Sequence, residues 1–119
     1  MTPEQLKKRT KQFGLEIIRV VESLGNSLTA RVIGNQLVRS ATSVGANYRA
    51  ACKARSRAEF VAKLGITEEE ADESGYWLEL MVEAKLAKPE RIDKLLIEAN
   101  ELTAIIAASR KTAISNRKS

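Results

Sequence analysis

Apolar residues fall into four separate runs along the chain, each alternating steps of three and four residues, the spacing that lines one face of an α-helix. The first run is Leu6, Thr10, Phe13, Ile17, Val20 and Leu24, and the second is Ile33, Leu37, Ser40, Val44, Asn47 and Ala51. The third is Phe60, Leu64, Thr67, Ala71, Ser74, Leu78 and Met81, and the fourth is Ile92, Leu95, Ala99, Leu102, Ile106, Ser109 and Ala113. Thr2-Pro3-Glu4-Gln5 and Ser56-Arg57-Ala58-Glu59 are capping boxes that start helices. Gly25-Asn26 suits a left-handed helix end, and Lys88-Pro89 breaks a helix because the residue before proline is disfavoured in the helical region. The pattern predicts helices over about residues 3–24, 28–54, 57–87 and 89–112, the third being the longest, with a basic tail over 113–119. No stretch reads as a strand. Short connections make consecutive helices antiparallel, so the expected fold is all-α, an up-down-up-down four-helix bundle in a single domain spanning residues 1–119.

Two surfaces remain once each helix has spent one stripe on the core. Gly34, Val38, Ala41 and Gly45 lie a quarter turn or more from the second stripe. Mid-helix glycine costs about 1 kcal/mol against alanine, so two of them point to close approach by the first or third helix. Ile66, Trp77, Leu80 and Ala84 form a second apolar stripe on the third helix, read as a subunit interface with Trp77 as its aromatic anchor. The competing reading puts Trp77 at the edge of the intramolecular core. Ser40 and Asn47, polar residues within an apolar stripe, are expected to hydrogen-bond between helices and fix register.

Charge changes the picture further. The 119 residues carry 20 Lys+Arg and 15 Asp+Glu, and residues 1–63 hold 12 basic side chains against 4 acidic ones. On a helical wheel Arg31, Arg39, Thr42, Arg49 and Lys53 lie opposite the core stripe of the second helix, and Arg55, Arg57 and Lys63 continue the positive charge through the following turn. Arg39, Arg49, Lys53, Arg55, Arg57 and Lys63 are therefore the candidate contacts for a nucleic-acid phosphate backbone, of sequence-independent and salt-sensitive affinity. A solvated face that aids solubility is the bland alternative. Aromatics make up only 4% of the chain, which argues against base stacking as the main mode.

Chemistry has little to stand on. The chain has no histidine, its lone Cys52 has no catalytic partner, and no glycine-rich phosphate loop is present. The run Glu68-Glu69-Glu70-Ala71-Asp72-Glu73 lacks the histidines of bundle di-metal sites and mostly points away from the core, so no metal or cofactor is expected. A single cysteine, no secretory signal and no long apolar run place the protein in the cytoplasm. The expectation is a non-enzymatic, oligomeric, nucleic-acid-associated protein. A protein-protein scaffold or adaptor with no direct nucleic-acid role is the alternative.

Gln36-Leu37, Arg39-Ser40, Ser43-Val44, Ala46-Asn47, Arg55-Ser56, Glu59-Phe60, Glu69-Glu70-Ala71 and Trp77-Leu78-Glu79 resemble a bacterial family of small four-helix-bundle proteins. These are the large-subunit rRNA intervening-sequence proteins, also called ribosomal proteins. Many members have Glu-Gly shortly after the asparagine, where this chain has Arg49-Ala50-Ala51 and a more basic surface. The resemblance implies a ring-shaped homopentamer without enzyme activity. It also implies a likeness in fold to the accessory protein of diversity-generating retroelements, which binds a reverse transcriptase and nucleic acid.

Overall fold

In the computed structural model, which describes residues 1–116, four helices follow one another: α1 (Pro3–Glu22), α2 (Leu28–Cys52), α3 (Arg57–Glu83) and α4 (Pro89–Asn116). They form an antiparallel bundle shaped as a rod of 52 × 20 × 20 Å. Consecutive helices share the large packing surfaces, and α1 and α4 meet over a smaller one.

The starts are set by side-chain caps. Thr2 accepts from the Gln5 backbone at 3.1 Å while the Gln5 side chain accepts from the Thr2 backbone at 2.9 Å, a complete capping box with Pro3 at the first helical position. Ser27 caps α2 through the Ala30 N–H at 3.1 Å, and Ser56 caps α3 through the Glu59 N–H at 3.1 Å. The Glu59 carboxylate accepts from the Arg55 N–H at 3.2 Å, so the second box closes one residue earlier than its sequence pattern predicts.

The ends differ more from expectation. α1 stops at Glu22, where Ser23 donates its hydroxyl to the Val20 carbonyl at 2.6 Å and its N–H to Val20 and Val21. Those bonds satisfy the last carbonyls, and neither Gly25 nor Asn26 adopts the left-handed conformation predicted there. That conformation occurs instead at Lys85, with φ of 60°. It lets the Leu86 N–H reach the Met81 carbonyl at 3.0 Å, ending α3 at Glu83, four residues before the expected Ala87. α4 continues to Asn116, past the tail predicted to begin at residue 113, and is the longest helix; the last residues of that predicted tail lie outside the described ones.

Nearly all of the predicted stripe positions are buried, among them Phe13, Ile17, Leu37, Val44, Leu64, Leu78, Met81, Ile92, Leu102 and Ile106. Leu24, Asn47, Phe60, Ser109 and Ala113 are only partly buried, and of these Asn47 departs most from expectation. It is half-buried and its Nδ2 donates to the Ser43 carbonyl at 2.9 Å within its own helix, while neighbouring Tyr48 turns inward. Ser40 does link helices: its hydroxyl lies 3.0 Å from that of Ser74, both fully buried. The glycine flank of α2 packs on α1. A Cβ at Gly34 would lie 3.0 Å from Val21, and one at Gly45 would lie 3.5 Å from the backbone of Thr10 and Lys11.

Candidate nucleic-acid interface

Antiparallel packing gathers the first turns of α1, the last turns of α2, the first turns of α3 and the last turns of α4 at one end of the rod. Each segment is rich in cations. To Arg49, Lys53, Arg55, Arg57 and Lys63 the topology adds Lys7, Lys8 and Lys11 from α1 and Arg110 and Lys111 from α4. Sequence reasoning missed these five because they lie far from residues 31–63 along the chain. The available signal was the alternation of helix direction, which places an N-terminal segment beside the second helix's end.

Ion pairing separates these cations into two groups. Lys7 pairs with Glu4 at 2.7 Å, which raises the lysine's pKa and holds the Glu4 carboxyl below its usual range. Lys8, Lys11, Arg49, Lys53, Arg55, Arg57 and Lys63 make no ion pair among the described residues. Arg39 is differently placed. Its guanidinium bonds Glu73 and, at 3.0 Å, Glu70, both on α3, and it also donates to Gln36 at 3.2 Å. The bond to Glu73 raises the arginine's pKa. The Glu73 carboxyl is held low, first by the Trp77 indole N–H at 2.9 Å and then by Arg39. Arg39 is thus a link between α2 and α3, turned away from the basic end. Part of the acidic run is accounted for by the same contacts.

Arg49 also leaves the single face drawn from the wheel, because it lines a groove of about 550 Å³ between α1 and α2. Lys7, Lys8 and Lys11 border this groove with it, and Gly14, Leu15, Ile18 and Ala46 form its apolar part. A second depression of about 630 Å³ opens at the bundle end, lined by Arg57 and Phe60 from α3, Tyr48 and Cys52 from α2, and Ser109 and Thr112 from α4. Burial, followed by a hydrogen bond with Cys52, pushes the Tyr48 phenol well above its ordinary value, so it stays protonated as a neutral donor. Arg110 lies against Gly65, where a Cβ would come within 3.4 Å of its Nε, and this buried nitrogen has no hydrogen-bond partner among the described residues.

The proposed interface stripe is divided as well. Ile66 is 41% exposed, but Trp77 and Leu80 are half-buried against the molecule's own core, and Ala84 sits just past the end of α3. Tyr76 is 55% exposed and meets Trp77 edge-on, with ring centroids 5.0 Å apart. No described helix is long and apolar enough to cross a membrane.

Comparison with known proteins agrees with this architecture. The fold matches the crystal structure of a protein of unknown function from the S23 ribosomal protein family of Bacteroides thetaiotaomicron VPI-5482, with a TM-score of 0.86 and 32% sequence identity. The match covers 93% of this chain and 99% of that one. No curated protein sequence matches the chain. Residues 4–108 match the family described as 23S rRNA-intervening sequence protein. That span takes in all or most of each helix, and the chain belongs to the 23S rRNA-intervening sequence protein family.

Proposed function

We propose that this chain is a non-enzymatic, self-associating protein that binds nucleic acid, RNA foremost, through its basic end. The observation that carries the reading is the group of cations left without ion pairs at that end: Lys53, Arg55, Arg57 and Lys63 on one side, and Lys8, Lys11 and Arg49 on the other. Free ammonium and guanidinium groups from three helices match a phosphate backbone and carry no base-reading geometry, so affinity should be largely sequence-independent. The family's description connects its members with a segment of 23S rRNA, which favours RNA over DNA. Arg39 is left out of this surface because Glu70 and Glu73 neutralise it.

Exposed apolar side chains, Leu15 on α1 and Ile66 and Tyr76 on α3, support the self-association part of the reading. The homopentameric ring implied by the family resemblance would repeat the basic end around one rim and add avidity for a long polyanion. The same exposed side chains favour the second reading, a scaffold that binds a protein partner.

The test is equilibrium binding of the nuclease-treated protein to a mixed-sequence RNA pool at low salt. Binding that drops in a variant with Lys53, Arg55 and Arg57 changed to alanine supports the proposal. No binding at low salt rejects it and leaves the scaffold reading.

A further inference from the structure

We propose that the depression at the bundle end takes one unstacked nucleobase of a single-stranded RNA, laid against Phe60 while Arg57 and Lys63 hold the flanking phosphates. This inference rests on the RNA reading above and names the form of RNA that the basic end selects.

Three helix faces build the depression. Tyr48 and Cys52 stand four residues apart on α2, Arg57 and Phe60 three apart on α3, and Ser109 and Thr112 three apart on α4, each pair on one face of its helix. The volume of about 630 Å³ falls within the range of small-ligand pockets, about 300–1,000 Å³. Tyr48 is buried and closes the inner side, which leaves the partly buried Phe60 as the ring with a face to offer.

The mixture of apolar and cationic groups selects the occupant. A bare phosphate strand would satisfy Arg57 and leave the Phe60 ring uncovered. An apolar side chain from a protein partner would cover Phe60 and leave Lys53, Arg55, Arg57 and Lys63, none of them ion-paired among the described residues, without counter-charge. A nucleotide supplies both a flat π-face and an anion. Bases of a uniform duplex are stacked and paired, so the base that enters a concavity is one from a single strand, a loop or an end.

Spacing along α3 agrees. Arg57, Phe60 and Lys63 follow at three-residue steps, which sets a cation about 4.5 Å along the helix axis on either side of the ring. A strand that meets both cations carries its base past Phe60. The Ser109 and Thr112 hydroxyls across the depression each donate and accept, so they suit the edge of any base. Stacking is equally tolerant, because every base has a π-face, and the site adds affinity without demanding a sequence.

The experiment measures fluorescence anisotropy of nuclease-treated wild type and Phe60→Leu on two labelled strands of equal length, a mixed-sequence single-stranded RNA and a base-free strand of abasic ribose phosphates. Cys52, the chain's single cysteine, is exposed and lines the depression, so its alkylation by a neutral maleimide reports where the base lies. Wild type is expected to bind the intact strand about 5-fold or more tighter than the abasic one, the effect of one stacked base. Phe60→Leu is expected to lose that difference while keeping wild-type affinity for the abasic strand and the wild-type salt slope. At saturation, the intact strand should slow alkylation of Cys52 more than the abasic strand does. Failure of wild type to bind either strand at low salt would reject the RNA reading itself. Equal wild-type affinity for the two strands would overturn only the base site. So would a Phe60→Leu variant that weakens both strands alike, which would show the ring acting through the fold. A difference between strands that survives in Phe60→Leu, or equal alkylation of Cys52 with both, would put the base elsewhere and also overturn the assignment.

Discussion

The two flanks of α2 are held by different physics. Towards α1 the contact is one of shape: Gly34 meets Val21, Gly45 lies on the Thr10–Lys11 backbone, and a Cβ at Gly14 would lie 3.6 Å from the backbone of Ala41 and Thr42. Towards α3 the apolar packing is supplemented by specific polar links, the buried Ser40–Ser74 pair and the Arg39 contacts with Glu70 and Glu73. The first flank admits a partner by leaving side chains out, the second by matching donors to acceptors. Polar links fix a register better than smooth packing does, so the α2–α3 pair should be the more narrowly specified of the two.

The largest effect is expected on the shape side. Gly34→Leu would drive a side chain into Val21, whose γ-carbon lies 3.0 Å from the position of a Cβ, and should cost about 1–3 kcal/mol in urea unfolding. A neutral result would mean that α1 yields freely and that close approach is not what joins it.

On the polar side, Ser40→Ala should cost about 1 kcal/mol, since it removes one buried hydrogen bond while Ser74 keeps its 2.8 Å bond to the Glu70 carbonyl. A double-mutant cycle with Ser74→Ala checks this, and strictly additive losses would show that the two hydroxyls are not coupled.

Smaller still should be the loss in Arg39→Ala, because its side chain is half exposed and solvent screens the pair. Its sharper signature is in the pH dependence. The folded Glu73 carboxyl titrates below its ordinary value of 4.5. Its contribution to stability is therefore present at neutral pH and lost as pH falls through the folded value. Glu73→Gln should flatten the acid limb of the stability curve below pH 4.5, and an unchanged limb would count against the Trp77 and Arg39 contacts as its source.

The bundle was legible because its stripes repeat every three and four residues and its starts carry cap residues. Asn47 was misread for a reason of phase. A 3.5-residue repeat drifts about 20° per heptad on a 3.6-residue helix, so near the end of α2 Tyr48 takes the inward direction and Asn47 moves to the rim. The end of α3 was misplaced because a lysine, not a glycine, occupies the left-handed position at residue 85. The candidate site was only half legible. A wheel drawn for one helix groups Arg39 with Arg49, but the neighbours decide their roles: α3 supplies carboxylates to the first, and α1 supplies lysines beside the second. Lys7, Lys8 and Lys11 join Arg49 only through antiparallel packing.

The contrast between paired and unpaired cations gives the most direct test of nucleic-acid binding. RNA affinity should be measured against salt concentration for wild type, for the Lys53/Arg55/Arg57 triple alanine variant and for Arg39→Ala. Each phosphate contact to a single strand contributes about 0.7 to the slope of log affinity against log salt, so the triple variant should lose about 2 slope units while Arg39→Ala stays near wild type. Equal slopes for wild type and the triple variant, or an equally large loss for Arg39→Ala, would contradict the assignment of binding to the unpaired basic end.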